Sequence, residues 1–205
     1  MRMCYVKQVM KRGADIVGSL FGMILFMITY ILVYPIIKIQ SPGPILFKQK
    51  RVGKNGKIFN LYKFRSMHVG SEQALEALKI KNQYNNEYMF KIQNDPRIYP
   101  FGRFMRKYSL DELPQFWNVL KGDMSLVGTR PPIVSEYEKY ELQYFKRLTI
   151  KPGITGIWQV TGRNRFLDFE DVIKMDVSYI NNMSFLLDVK ILCKTIAVVI
   201  RKEGH

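Results

Sequence analysis

Two adjacent carboxylates, Asp111 and Glu112, lie in the part of the sequence where reactive side chains are densest. Basic residues flank this pair on both sides, with Arg106 before it and Lys121 and Arg130 after it. Cations close to a carboxylate favour its ionised form, and cations also bind phosphate groups. Because an ionised aspartate can attack phosphorus as a nucleophile, this region predicts chemistry on a phosphorylated substrate.

The same pair of carboxylates also has a structural interpretation. Ser109 and Glu112 have the spacing of a capping box, in which both side chains bind the first backbone amides of a helix. A helix over 111–121 would then begin here. However, Pro114 would be the fifth residue of that helix, where proline is unusual, whereas proline is favoured at the first position. The alternative is a helix that begins at Leu113 and Pro114, with both carboxylates before it.

Several other chemistries are excluded by missing residues. Neither a Walker loop nor the G-x-G-x-x-G pattern of dinucleotide-binding proteins occurs, and the only histidines are His68 and His205. The only cysteines, Cys4 and Cys193, are far apart and have no Cys or His neighbours at the spacing of metal ligands. Neither a disulfide framework nor a zinc site is therefore predicted.

An uncharged run of 22 residues at 16–37 reaches the length of a membrane-crossing helix, which is about 20 residues. The run is longer than the apolar part of a signal peptide, and no cleavage site follows it. Basic residues lie on both sides of the run, and such flanks tend to stay in the cytoplasm. A plain spanning helix would export one of them, whereas a re-entrant helix would not. Pro35 is the residue that would bend a re-entrant segment.

The formal net charge is +15, and the basic excess is concentrated at the N-terminus, because residues 1–71 hold 12 Lys and Arg against one acid, Asp15. Basic clusters beside an apolar run attract anionic lipid headgroups, by about 1 kcal/mol per residue. The 47% content of hydrophobic residues excludes a disordered polycation. Since the basic residues are not interleaved with aromatic residues, we expect membrane phospholipid as a partner and no nucleic acid.

The remaining sequence predicts an α+β fold that is mostly helical. Two apolar-rich segments separated by an Asn-Gly turn predict a β-hairpin at 45–64. Apolar residues at helical spacing predict helices at 72–83, 101–108, 111–121, 133–147, 169–181 and 185–201. The apolar stripe of the last helix is compatible with core packing or with docking on a membrane surface. We therefore expect an N-terminal re-entrant membrane helix at 1–40 and a cytoplasmic catalytic domain at 41–205 with amphipathic surface helices.

Six segments in a fixed order carry a family resemblance. They are KRGADIVGS at 11–19, SPGPILFKQKRVG at 41–53, YKFRSM at 62–67, SLDELPQ at 109–115, KGDMSLVGTRPP at 121–132 and KPGITGIWQVTGR at 151–163. Together they resemble the bacterial sugar transferase family, which comprises monotopic polyprenyl-phosphate phosphoglycosyl transferases. The resemblance extends from about residue 10 to residue 202.

This resemblance implies transfer of a sugar 1-phosphate from a UDP-sugar to undecaprenyl phosphate at the cytoplasmic membrane, with release of UMP and with Mg²⁺ as cofactor. It implies that Asp111 is the nucleophile and the metal ligand, and that Glu112 is its partner. The candidate phosphate or nucleotide contacts are Lys63, Arg65, Arg106, Arg130 and Arg163. Many relatives have proline at the position of Thr129. The segment LVGTRPP, which contains this threonine, is more similar to the subgroup that begins capsule or exopolysaccharide repeats with glucose or galactose phosphate.

The sequence departs from the family in one place that bears on topology. Many relatives have Ser-Pro in the middle of the re-entrant helix, whereas Met27 and Ile28 stand at the equivalent place here. Two other classes of function remain as alternatives. A non-enzymatic membrane adaptor would use the basic face for lipid and the carboxylates only as caps, and a nucleic-acid binder would use the basic residues for phosphates.

Overall fold

The computed structural model describes residues 2–71, 73, 88, 92, 94–162 and 168–201. Its fold is α+β and mostly helical, as the sequence predicts. In chain order the helices and strands are α1 (Arg2–Gln40), β1 (Leu46–Val52), β2 (Ile58–Phe64), α2 (Pro100–Lys107), α3 (Gln115–Lys121), β3 (Ser125–Val127), α4 (Val134–Tyr137), β4 (Gly153–Thr155), α5 (Ile157–Gly162), α6 (Phe169–Asn181) and α7 (Phe185–Ile200). Short 3₁₀ segments occur at Lys54–Gly56, Leu110–Glu112 and Leu142–Leu148.

Helix α1 is 39 residues long and packs one of its faces against the rest of the protein. Asp15, Ser19, Val33 and Ile37 are buried on this inner face at helical spacing. Pro35 lies inside the helix, which continues to Gln40, so the proline does not end it. Among the described helices, α1 alone is long and apolar enough to cross a membrane. Its path through a membrane, whether re-entrant or spanning, stays a prediction.

The opposite side of α1 is apolar and exposed. We call this side the outer face, and its residues are between 51% and 70% exposed: Val17, Leu20, Phe21, Ile24, Met27, Ile28, Ile31 and Leu32. A surface helix of a soluble protein has one apolar side against the core and one polar side toward water. Helix α1 differs, because the side that points away from the core is also apolar. The outer face is therefore a large apolar surface of the kind that marks an interaction site.

Strands β1 and β2 form the predicted hairpin. They pair antiparallel from Leu46 opposite Phe64 to Val52 opposite Ile58. Asn55 at the turn has a φ of 55°, which asparagine tolerates better than most other residues. Phe64 from this hairpin packs with Val33 and Ile37 of α1 in one buried cluster. The hairpin is thus fixed to the inner face of α1.

Strands β3 and β4 form a short parallel pair that the sequence did not predict. Ser125 lies opposite Gly153, and Val127 lies opposite Thr155. The two chains approach so closely that a Cβ on Gly153 would lie 2.1 Å from the Gly128 backbone nitrogen. Glycine at this position is therefore required by space rather than by a special φ.

The predicted helices at 101–108, 169–181 and 185–201 are confirmed to within a residue at each end. The predicted helix at 133–147 is wrong, because α4 ends at Tyr137 and a 3₁₀ segment follows from Leu142. The predicted helix at 72–83 lies outside the described residues. In α7, Ile191 is buried with Val127 and Tyr179, which confirms core packing for that position. Other apolar residues of the same helix remain exposed: Phe185, Leu186, Val189, Ile196 and Ile200.

The close contact between α2 and the end of the hairpin generates a stability prediction. A Cβ on Gly102 would lie 2.1 Å from the Ser66 carbonyl oxygen, so we expect Gly102→Ala to lower the free energy of unfolding by about 1–3 kcal/mol. Gly13→Ala in α1 is the matched control, because nothing lies within 4 Å of its added Cβ. Thermal unfolding in detergent micelles would measure both variants, and equal melting temperatures would contradict the prediction.

Candidate active site

The two carboxylates lie in a 3₁₀ turn that precedes a helix. Asp111 and Glu112 are both buried in the segment Leu110–Glu112, and α3 begins only at Gln115, after Pro114. Ser109 has a left-handed backbone with a φ of 54°, and its side chain makes no capping hydrogen bond. The capping box is therefore absent, and the predicted helix start at 111 is wrong. The alternative interpretation, in which both carboxylates precede the helix, is confirmed.

Asp111 is 4% exposed, and its Oδ1 has no hydrogen-bond partner among the described residues. Burial raises the pKa of this carboxyl above its ordinary value, and the nearby Glu112 acts in the same direction. Lys63 and Arg106 oppose this shift of the pKa, because their positive charges favour the carboxylate. When ionised, Asp111 thus has an oxygen lone pair that no hydrogen bond occupies and that a substrate or a metal ion can use.

Glu112 pairs with a lysine from the hairpin. The Lys63 Nζ donates a hydrogen bond to the Glu112 Oε1 over 2.8 Å, and both side chains are mostly buried. Lys63 lies in strand β2 opposite Phe47, and five residue pairs of the β1–β2 ladder separate it from the turn, beginning with Val52 opposite Ile58. Lys63 therefore acts on both carboxylates, because it binds Glu112 directly and also lowers the pKa of Asp111.

A cleft beside these residues is lined by residues of the hairpin, the carboxylate turn, the start of α3, the loop after β3, β4 and α5. The lining residues are Arg51, Leu61, Lys63, Glu112, Gln115, Arg130, Pro131, Gly153, Ile154 and Gln159. Burial lowers the pKa of Arg51 to about 10, and the positive charge of Arg130 contributes to this shift. Two neighbouring guanidinium groups of like charge favour a ligand that carries more than one negative charge.

Arg51 is a cleft residue that the sequence analysis did not single out. Its guanidinium donates hydrogen bonds to the Gln49 Oε1 and to the Pro131 carbonyl oxygen. In the sequence it is one of several basic residues after the apolar run, and the charge pattern alone does not separate it from them. The signal that distinguishes it is its place in β1, next to Val52, where the chain becomes fully buried. Gln115 and Gln159 also line the cleft and were not predicted.

The structure brings most of the predicted site residues together. Lys63, Glu112 and Arg130 line the cleft, and Arg106 is close enough to Asp111 to lower its pKa. Arg65 lies elsewhere, because β2 ends at Phe64 and the next guanidinium turns toward the segment after α1. There Arg65 donates hydrogen bonds to the Ser41 and Pro42 carbonyl oxygens. Arg163 lies outside the described residues.

Comparison with known proteins gives the family of this chain. The sequence profile described as bacterial sugar transferase matches residues 6–202. The chain belongs to the bacterial sugar transferase family. It is 51% identical over 200 residues to the galactosyl transferase CpsE of Streptococcus agalactiae, covering 98% of this chain and 44% of that protein. It is also 45% identical over 201 residues to the undecaprenyl-phosphate galactose phosphotransferase of Salmonella typhimurium, covering 95% of this chain and 41% of that protein.

Relatives in this family differ in length. The chain spans less than half of the two relatives just named. It covers 87% of the exopolysaccharide production protein ExoY of Rhizobium meliloti, to which it is 35% identical over 197 residues. The region shared by all three contains the carboxylate turn and the cleft, because the matches cover at least 95% of this chain.

The donor atoms near Asp111 fit a magnesium ion that takes most of its ligands from a substrate. No group of three or more His, Cys, Asp or Glu residues gathers at one point in the described part of the chain. Mg²⁺, however, is often held by one or two carboxylates together with water and substrate phosphates. The Asp111 Oδ1, which is buried and has no hydrogen-bond partner in the described chain, is a suitable single protein ligand.

The charges around Asp111 predict how its titration responds to substitution. We expect Glu112→Gln to lower the pKa of Asp111, because it removes a negative charge, and Lys63→Met to raise it, because it removes a positive one. Carbon-13 NMR of protein labelled at aspartate carboxyls would measure both shifts, with Asp111→Asn identifying the signal. Lys57→Met, an exposed lysine of the same hairpin, is the control and should leave the signal in place. Shifts of the same sign in the first two variants would contradict the assigned charges.

Proposed function

We propose that this protein transfers a sugar 1-phosphate from a UDP-sugar to undecaprenyl phosphate and releases UMP, as the first membrane step of capsule or exopolysaccharide synthesis. The observation that carries the proposal is the buried Asp111 carboxylate, whose Oδ1 accepts no hydrogen bond from the described residues and which lies beside a cleft with two guanidinium groups. The printed names of relatives support it, since they include an undecaprenyl-phosphate galactose phosphotransferase and a UDP-galactose-lipid carrier transferase.

The reaction proceeds in two displacements at one phosphorus atom. An Asp111 carboxylate oxygen attacks the phosphorus attached to the sugar, and the bond from that phosphorus to the bridging oxygen breaks. UMP leaves with the electron pair, and a sugar phosphate remains bonded to Asp111. An oxygen of undecaprenyl phosphate then attacks the same phosphorus, which releases the Asp111 carboxylate and forms the diphosphate-linked sugar. No proton transfer is needed in either displacement when all phosphates are ionised.

The cationic side chains of the cleft stabilise this chemistry. Arg51 and Arg130 hold the diphosphate of the donor, because a guanidinium group can donate two parallel hydrogen bonds to the oxygens of one phosphate. Lys63 neutralises Glu112 and thereby limits the repulsion between that carboxylate and the incoming phosphates. Asp111 would hold Mg²⁺ together with the substrate phosphates, and the ion would reduce the negative charge of the diphosphate.

The donor sugar belongs to the hexoses glucose and galactose, and we propose galactose. Thr129 in the segment KGDMSLVGTRPP favours the glucose or galactose subgroup. Three of the named relatives carry galactose in their printed names, and the most similar of these is 51% identical. A further relative, which is 39% identical, is named for N-acetylgalactosamine. A panel of UDP-sugars would therefore separate these donors.

Membrane phospholipid is the proposed partner of the outer face of α1. This face is apolar over several helical turns, while the inner face packs on the catalytic domain. Lys11 and Arg12 precede it but bind groups of the protein, whereas the exposed Lys38 that follows it can attract anionic headgroups. Basic segments tend to remain in the cytoplasm, and the Lys and Arg residues on both sides of the apolar run support a position of the catalytic domain on the cytoplasmic face of the cell membrane.

The covalent mechanism predicts a burst of product. Mixing the protein with UDP-galactose and Mg²⁺ in the absence of undecaprenyl phosphate should release UMP in an amount stoichiometric with enzyme, because the first displacement needs no acceptor. Asp111→Asn should abolish the burst, while Asp171→Asn, an exposed aspartate of α6, should retain it. Nucleotide chromatography would quantify UMP, and mass spectrometry should find the sugar phosphate on the peptide that contains Asp111. A label on another residue would reject the assignment.

The membrane proposal predicts a change in fractionation. Replacing Ile24 and Ile28 together by Asp should shift the protein from membranes toward the soluble or aggregated fraction, because carboxylates are costly in the apolar part of a bilayer. Leu142→Asp is the matched control, since Leu142 is an exposed leucine outside α1. Flotation with vesicles that contain anionic lipid would measure binding. Unchanged flotation of the double variant would show that the outer face does not contact lipid.

A further inference from the structure

We infer that Thr129 is a positioning residue for Arg130, acting through a hydrogen bond from its hydroxyl to the backbone of Arg147. The inference rests on the proposed function only in assigning the cleft to a nucleoside diphosphate. The Thr129 Oγ1 donates to the Arg147 carbonyl oxygen over 2.9 Å, and Thr129 is 2% exposed. A buried hydrogen bond between two segments of the chain fixes their relative position, because neither the donor nor the acceptor can bind water instead.

The loop that carries Arg130 is held from two sides. On the side of β4, the Gly153 backbone nitrogen donates to the Thr129 carbonyl oxygen over 2.9 Å. On the side of the hairpin, Arg51 donates to the Pro131 carbonyl oxygen over 2.9 Å, and the Val52 nitrogen donates to the Pro132 carbonyl oxygen over 3.0 Å. Arg130 stands between these two attachments. Its backbone position therefore depends on bonds made by its neighbours.

Arg147 is itself firmly anchored, so its carbonyl oxygen is a fixed acceptor. Its guanidinium donates to the Asp176 Oδ2 of α6 over 2.6 Å and to the Tyr140 hydroxyl over 2.9 Å. The guanidinium also lies 5.5 Å from the centre of the Phe169 ring. Because both partners of the ion pair are almost completely buried, removing either one would leave a charge without compensation. The Thr129 hydroxyl thus connects the cleft to α6 through one residue.

The hydroxyl of Thr129 donates a hydrogen bond that a valine of similar shape could not donate. Valine has nearly the same volume as threonine but cannot donate a hydrogen bond, so the Arg147 carbonyl would lose this donor in a buried site. The backbone would then move to find another donor, and the movement would displace Arg130, which is the next residue. The shape of the packed core would otherwise change little, because the two side chains differ from a volume-conserving pair only through the hydroxyl.

The experiment measures the affinity of the full-length chain in detergent for UDP by calorimetry, together with its melting temperature. We expect Thr129→Val to weaken UDP binding about tenfold, since a buried acceptor without its donor is costly enough to shift the loop. Thr129→Ser keeps the hydroxyl and should restore affinity to within about twofold of the original. Thr149→Val is the matched control, because the Thr149 hydroxyl donates to the Lys146 carbonyl over 2.8 Å at an exposed site away from the cleft.

A second pair of variants separates positioning from general stability. In a background of Arg130→Gln, Thr129→Val should cause no further loss of UDP affinity, because the residue through which it acts is absent. An equal tenfold loss in both backgrounds would overturn the inference. So would a lower melting temperature of Thr129→Val with unchanged UDP affinity.

The same measurements distinguish this inference from the proposed function. Tight UDP binding without UMP release from any UDP-sugar would reject the proposed reaction and leave the role of Thr129 standing. UMP release with identical UDP affinity in the original protein and in Thr129→Val would reject the role of Thr129 alone. Failure of the original protein to bind UDP would count against both.

Discussion

The position of helix α1 depends on one buried carboxylate, that of Asp15. Its Oδ1 accepts hydrogen bonds from the Ser125 hydroxyl over 2.9 Å and from the Leu126 backbone nitrogen over 2.8 Å. A charge at this depth is tolerated only when it is bonded, so α1 is fixed in both register and rotation against β3. The neighbouring Lys11 binds the Asp188 carboxylate of α7, and Arg12 binds two backbone carbonyl oxygens at the end of α3. These bonds attach α1 at further points. Strand β3 leads directly into the loop of Arg130. Helix α1 and the cleft that contains Arg130 are therefore built on the same three-residue strand.

The bonds of Asp15 explain why one acidic residue occurs in an otherwise basic N-terminal segment. Asp15 is the single acidic residue among the first 71 residues. Attraction to anionic lipid needs only basic residues, so it gives no reason for this aspartate. Charge counting treats it as a minor exception. The structure shows that it is buried, whereas the basic residues around the apolar run are mostly exposed. A lone charge of opposite sign in a biased segment is thus a useful sign of a specific contact.

The sequence predicted the elements whose pattern is local. The hairpin and the helices α2, α6 and α7 follow from turn residues and helical spacing alone, and they are present. The predicted helix at 133–147 failed because Tyr140 and Tyr144 pack against the rings of Tyr88 and Phe169, edge-on in three of the four ring pairs. Such aromatic contacts come from distant parts of the chain, and they override the weak preference of a segment for helix. The parallel pair of β3 and β4 was missed for a similar reason, since strands of three residues carry little periodicity.

The site was predictable to the extent that its motifs were contiguous. Asp111, Glu112 and Arg130 could be chosen from the density of charged residues and from the family resemblance, and Lys63 from its motif. Arg51 could not be separated from the other basic residues near it, because burial decides its role and burial is a property of the fold. Arg65 illustrates the converse, since its motif is typical of the family while its guanidinium is used to hold the end of α1.

The attachment of α1 to late parts of the chain has a consequence for biogenesis. Lys11 binds Asp188, a partner 177 residues away, and Arg12 binds carbonyl groups more than 100 residues away. A ribosome adds about 5–20 residues per second, so the helix emerges on the order of 10 s before its last partner. During that interval both faces of α1 are uncovered, and the inner face carries Asp15 without its bonds. The rest of the chain must then assemble on the inner face of a helix that was made long before it. If the outer face contacts lipid as proposed, the bilayer surface is the place where this protein folds.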